Sequence, residues 1–207
     1  RGVRNFEMNR ERVLRDEEVI ERFRRTGALL EGHFILSSGL HSTAYLQCAL
    51  LLQHPKEAAA FGLALAEKFR GERVETVAAP AIGGLVIGYE VARHLGVRFI
   101  WTEREQGRMT LRRGFTVRAG ESVLVVEDVI TTGGSTRETI EALQAAGAQA
   151  VAAASIIDRS SGRADVGVPR VALATLDVPS VAPAACDPCA RGLPTTKPGS
   201  RKEESKQ

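Results

Sequence analysis

The chain has 207 residues, 43% of them apolar, enough for one packed domain with a small appendage. Its 28 basic and 25 acidic residues leave a formal charge of only +3, which suits anionic small molecules and makes nucleic acid an unlikely partner. No apolar run reaches bilayer-spanning length and the Arg-rich start lacks the apolar core of a signal peptide, so no membrane partner and a cytoplasmic setting are expected. From about Asn9 to Arg25 the pattern predicts an amphipathic helix with Val13, Leu14, Ile20 and Phe23 on one stripe, stopped by Gly27. The segment from Gly32 to Gly39 reads as a short strand and turn, and Pro55 opens a helix to about Arg70. Strand and helix then alternate. Strands are expected over Val74 to Ala79, Val97 to Glu103, Ser122 to Asp128, Val151 to Asp158 and Val171 to Leu176, with helices over Gly84 to Leu95 and Ser135 to Ala146. This is the α/β class, a doubly wound, mainly parallel sheet covered on both faces, with its core from about residue 55 to 165. Residues 1–54 and 166–196 are left to pack as a small hood lobe over the carboxyl edge of the sheet. One domain then spans 1–196, and the polar tail 197–207 is expected to be disordered.

The stretch from Val123 to Ser135, an apolar strand that ends in two adjacent carboxylates and a loop of hydroxyls and glycines, carries the most chemistry. In open α/β sheets ligands bind at the carboxyl ends of the strands. Gly133 and Gly134 permit close backbone approach, the free N–H groups of the following helix attract an anion, and Thr131, Thr132 and Ser135 add hydroxyl donors. Glu127 and Asp128 would repel a bare phosphate, but they can accept hydrogen bonds from sugar hydroxyls or face a divalent cation. A sugar phosphate meets both needs. The Gly-Lys ending of a nucleotide-triphosphate loop and the Gly-x-Gly-x-x-Gly of a dinucleotide fold are both absent.

On these thirteen positions the chain resembles the type I phosphoribosyltransferases, whose acid pair and Thr/Gly loop hold phosphoribosyl pyrophosphate (PRPP). A second loop, Ala79-Pro-Ala-Ile-Gly-Gly84, also falls between a strand and a helix. By the resemblance, Ala81, Ile82 and Gly83 hold the pyrophosphate, and a non-proline cis peptide is expected near Ala81–Ile82. The charged run from Thr102 to Gly114 is expected to be a mobile flap in which Arg104 and Arg108 cover PRPP, while Arg112 and Arg113 are structural.

Arg159, at the end of the strand closing on Ile156-Ile-Asp-Arg, points to an anionic base, because a guanidinium grips a carboxylate through two parallel hydrogen bonds. With the turn Ser38-Gly-Leu-His-Ser42 and Tyr45, it makes nearly the whole chain similar to the orotate branch of that family. The resemblance implies transfer of the phosphoribosyl group of PRPP to orotate, with Mg²⁺ carried on the substrate. Catalysis then falls to Glu127, Asp128 and Arg104, orotate contacts to Thr131 and Arg159, and the flap is shared across a homodimer. Two other readings keep the fold: a purine phosphoribosyltransferase, and a PRPP-binding regulator that contacts RNA.

This chain departs from the family pattern in its cations. It has 23 arginines and five lysines, with no lysine between Lys68 and Lys197. Ser37 and Gly83 stand where the resemblance leads one to expect lysines, Arg104 stands for a flap lysine, and the flap histidine has no counterpart, Met109 being nearby. An arginine flap works by charge rather than by proton transfer. Cys186 and Cys189 have metal-ligand spacing, but no second close Cys/His pair accompanies them, so free or redox-sensitive thiols and no metal site are expected. Of the histidines, only His41 lies near the presumed substrate turn; His33, His54 and His94 read as structural, and Trp101 as packing.

Overall fold

The computed structural model describes residues 14–36 and 39–197. Helix α1 (Asp16–Arg25) has three acids in its first turn and arginines in its last, in keeping with the helix dipole. The expected extension back to Asn9 falls mostly outside the described residues, as do Ser37, Ser38 and the tail beyond Lys197. After α1 come β1 (Leu29–Ile35), β2 (His41–Leu46), a short α2 (Cys48–Leu52) and α3 (Pro55–Glu67), opened by its proline. The alternating part is β3 (Thr76–Pro80), α4 (Gly84–Leu95), β4 (Arg98–Glu105), β5 (Arg108–Leu111), β6 (Ser122–Ile130), α5 (Gly134–Ala145), β7 (Gln149–Asp158) and β8 (Arg170–Thr175). The chain then returns to the first lobe through β9 (Ser180–Val181), a 3₁₀ turn (Pro183–Ala185) and α6 (Asp187–Ala190).

The main sheet has the order β5-β4-β3-β6-β7-β8, parallel except for β5. Side-chain alternation along its central strands explains why it needs cover on both faces. Val77, Leu124 and Val126 join α1, α3 and α4 in one buried cluster, whereas Ala78, Val123 and Val125 pack with Ile140 and Leu143 of α5 in the other. Within the first cluster Phe23 meets Phe61 edge-on at 6.2 Å, and Arg22 lies over the Phe61 ring at 5.7 Å.

The boundary between core and hood lies later in the chain than expected. The expected core ended near residue 165, yet β8 is a strand of the main sheet, paired with β7 from Ala153↔Arg170 to Asp158↔Thr175. It covers what would be the open edge of β7. Of the C-terminal segment, only the part beyond β8 belongs to the hood, where β9 pairs with β2 in a three-stranded sheet of order β1-β2-β9. The expected flap takes the form of a hairpin. β4 runs on to Glu105, turns through Gln106 and Gly107, both with positive φ (49° and 83°), and returns as β5. Two such residues suit a tight hairpin turn. The charges pair across it, Arg113 with Glu103 at 2.6 and 2.8 Å and Arg112 with Glu105 at 3.5 Å, so the charged run has the form of a β-hairpin.

Helices α3 and α4 touch closely at Gly62, where a β-carbon would meet Glu90 Cβ at 2.4 Å and Glu90 backbone at 3.0 Å. Gly62→Ala is therefore expected to destabilise the fold by about 1–3 kcal/mol in a denaturant titration, despite alanine's better helix propensity.

Candidate functional site

The last residues of β6 set the site. Val123 to Val126 are buried on both faces, and strand geometry carries the chain outward until Glu127 and Asp128 emerge at the carboxyl edge. Glu127 remains 8% exposed, and its Oε1 accepts the Asp128 N–H at 3.3 Å. Burial, then the charge of Asp128, pushes the Glu127 carboxyl well above its ordinary range. Asp128 is only half-buried, and its Oδ1 accepts the Val129 N–H at 2.8 Å.

The loop after β3 and the loop after β6 meet at this acid pair. A β-carbon on Gly83 would lie 2.9 Å from Asp128 Oδ1, and one on Gly84 would lie 2.8 Å from the Val126 carbonyl and 3.3 Å from Glu127 Oε1. Glycine is the residue that permits this approach. The Ala81–Ile82 peptide is cis, at the expected position, and the Ala81 N–H donates to the Thr102 carbonyl at 2.8 Å. On the other side, Gly133 caps α5 with φ 78°, and Thr131, Thr132 and Ser135 are arranged around it, all three exposed. The first N–H groups of α5, from Gly134 onward, have no acceptor within the helix.

Arg159 stands at the exit of β7, one strand over, with its backbone N–H on the Ile130 carbonyl at 2.8 Å. Its guanidinium reaches only the Val178 carbonyl, at 3.5 Å, and its buried Nε has no partner among the described residues. Burial lowers its pKa, opposed by Tyr45. Tyr45, brought in by β2 of the hood, is raised by burial, then by Asp128 and Cys48, against an opposing pull from Arg159. Cys48, at the start of α2, has its thiol pushed up by burial and then by Asp128. Tyr45 was legible as part of the first-lobe turn. Cys48 was not, since nothing in its local sequence sets it apart from a core cysteine.

Asp158 does not pair with its neighbour Arg159. It accepts from Arg170 Nη1 at 2.8 Å, from the Ser160 N–H and hydroxyl at 2.7 and 2.6 Å, and from the Gly162 N–H at 2.9 Å. These bonds brace the turn that presents Arg159. In the hairpin, Arg104 is engaged by Glu138 of α5 at 2.8 Å, whereas Arg108 makes no ion pair among the described residues.

The carboxyl edge of the sheet thus gathers two acids, two amide-rich loops, a ring of hydroxyls and an arginine with an unmet donor. Such a set can orient a polyhydroxyl phosphate and grip an anionic planar partner. Comparison with known proteins agrees. The family profile described as "Phosphoribosyl transferase domain" matches residues 49–174. The chain is 52% identical over 186 residues to an orotate phosphoribosyltransferase of Pelotomaculum thermopropionicum, covering 90% of this chain and 98% of that one. A relative with the same description from Desulforamulus reducens is 51% identical over 185 residues, covering 89% and 97%. Among solved structures, the orotate phosphoribosyltransferase of Aeropyrum pernix superposes with a TM-score of 0.66 at 29% identity, over 76% of this chain and 93% of that one.

Burial alone would raise the Asp158 carboxyl, but its hydrogen bonds with Ser160, Arg170 and Gly162 hold it at about 2, below its ordinary 3.8. The stabilisation this represents is complete above the ordinary value and is lost as pH falls toward about 2. Asp158→Asn should cost about 2 kcal/mol at neutral pH, with the gap to wild type closing as unfolding is measured at progressively more acid pH.

Proposed function

We infer that this chain, which belongs to the orotate phosphoribosyltransferase family, transfers the phosphoribosyl group of PRPP to orotate, releasing pyrophosphate and orotidine 5′-monophosphate. The observation that carries the reading is Arg159, a guanidinium whose buried Nε has no partner among the described residues and which faces the same edge as the acid pair. An orotate carboxylate fits it, and a neutral purine offers no charge to match.

In this reading the 5-phosphate of PRPP lies against the N-terminus of α5, held by Thr132, Ser135 and the amides of Gly133 and Gly134, while Thr131 is left to contact orotate with Arg159. Asp128 and Glu127 take the ribose hydroxyls and stabilise positive charge as it develops at the sugar's anomeric carbon. Magnesium enters with PRPP as part of the substrate, and the oxygen donors at this edge suit such a hard cation. Ala81, Ile82 and Gly83 line the pyrophosphate, and the orotate nitrogen attacks from the side of Arg159 and Tyr45. Arg104 exchanges Glu138 for the departing pyrophosphate, which carries more charge than one carboxylate, and Arg108 adds to it. Neither arginine donates a proton, so the leaving group departs by charge neutralisation.

The reading includes a homodimer and a cytoplasmic setting. Ile82, Val86 and Tyr89 are 83%, 46% and 58% exposed, and Val86 and Tyr89 adjoin Phe99 and Trp101 of β4 in an apolar patch beside the pyrophosphate loop. A second copy covering this patch would lie next to the β4–β5 hairpin and could share it. No helix among the described residues is long and apolar enough to cross a membrane.

Steady-state rates separate the two arginines. Arg159→Ala should raise KM for orotate by about a hundredfold while KM for PRPP stays within about threefold. Arg104→Ala should instead lower kcat by about a hundredfold. Equal effects of Arg159→Ala on both substrates would remove its assignment to the base. Light scattering on Tyr89→Glu should give a monomer where the wild type gives a dimer; an unchanged mass would move the interface elsewhere.

A further inference from the structure

The hood contains a second cluster of reactive side chains, away from the acid pair and unused by the transfer reaction. His33 of β1, His41 of β2, and Cys186 and Cys189 of the returning C-terminal segment each offer one ligand atom, and these atoms all lie within 4.8 Å of one another. His33 Nε2 is 2.9 Å from His41 Nδ1, 3.2 Å from Cys186 Sγ and 3.5 Å from Cys189 Sγ, and Cys189 Sγ is 3.2 Å from His41 Nδ1. A tetrahedral zinc with Zn–S about 2.3 Å and Zn–N about 2.0 Å holds neighbouring donor atoms about 3.3–3.8 Å apart. The separations bracket that spacing. We propose that His33, His41, Cys186 and Cys189 bind one structural zinc ion, which fastens the C-terminal segment across the hood.

Local structure is arranged for it. The β1–β2 pairing slips between Glu31 and Phe34, so that Gly32 and His33 together oppose Thr43, and the bulge aims His33 at His41. His33 Nδ1 lies 3.1 Å from the Leu193 carbonyl, which fixes that nitrogen as the donor and leaves Nε2, the atom facing the thiols, as a ligand. Two thiolates and two imidazoles suit zinc and do not suit magnesium, which takes oxygen ligands. With all four positions filled by protein and three of the ligands buried, no open site remains for water or substrate, so the ion's role is structural. On binding, each thiol gives up its proton to solvent as its Zn–S bond forms, with no redox change.

The segment concerned has little else to hold it. It joins the outer edge of β2 through β9, crosses by a 3₁₀ turn and a four-residue helix, and ends against the other edge of the sheet, where Thr196 exchanges backbone hydrogen bonds with His33 and Ile35 at 2.8 and 2.9 Å. Cys186 is nonetheless 4% exposed. A metal cross-link at mid-span explains how so short a helix is held in place, as small lobes with thin cores often need one. It also bears on the reaction site, because His41 starts the strand that delivers Tyr45.

The test is metal content. The full chain, purified without a histidine tag under reducing conditions, should carry about one zinc per chain by elemental mass spectrometry, and the Cys186→Ser/Cys189→Ser pair less than about a tenth of that. His94→Ala, which removes a histidine outside the cluster, should keep the metal. A second measurement needs no variant: zinc-depleted wild type titrated with Co²⁺ should develop thiolate-to-cobalt charge transfer and the strong visible bands of a tetrahedral site. Wild type with neither zinc nor a cobalt–thiolate spectrum would overturn the proposal. So would a Cys186–Cys189 disulfide in protein purified without reductant that cannot take up zinc after reduction, or zinc that persists in the double serine variant.

Discussion

Two adjacent carboxylates at the end of a buried strand are the constraint on which the rest of this structure depends. Burial and Asp128 raise the Glu127 carboxyl above its ordinary range, which is how two adjacent carboxylates can stand at the end of a buried strand. Gly83 and Gly84 press against both acids, so no bulky side chain intervenes between the loop after β3 and the acid pair. The arrangement requires α4 and α5 to start at the same edge from opposite faces of the sheet, which the right-handed connections of a parallel sheet supply.

The hood adds what the sheet lacks. An open parallel sheet can present loops and helix ends, but it cannot cover them. Here the β1–β2 hairpin brings Tyr45 over the edge, and the C-terminal segment ties that hairpin from both sides. The proposed zinc ion and the proposed orotate pocket are therefore mechanically connected through β2, although their chemistry is separate. Arg159 is braced independently, by Asp158 and Arg170 across the β7–β8 pair.

Features that depend on contiguous residues were legible in the sequence. The strand, the acid pair and the Thr/Gly loop lie within thirteen positions, whereas the cis peptide of the Pro-Ala-Ile-Gly-Gly turn was to be expected only through the family resemblance. What required the fold were pairings between distant segments. The partner of Asp158, Arg170, lies twelve residues on and is chosen by strand register. The two histidines that stand beside the cysteines are more than 140 residues away in sequence, and one of them, His33, lies in a bulge. The hairpin turn at Gln106–Gly107 was masked by its charges, because the partners of Arg112 and Arg113 lie on the facing strand and appear only once the two strands are paired.

The central claim is that this edge of the sheet joins PRPP to an anionic pyrimidine, and product identity under competition tests it most directly. Wild-type protein would be given PRPP, Mg²⁺ and equal concentrations of orotate, adenine and hypoxanthine, and the nucleotides formed would be identified by mass spectrometry. Orotidine 5′-monophosphate as the sole product is the predicted result. Adenosine or inosine monophosphate, or no nucleotide although PRPP binds, would contradict the account.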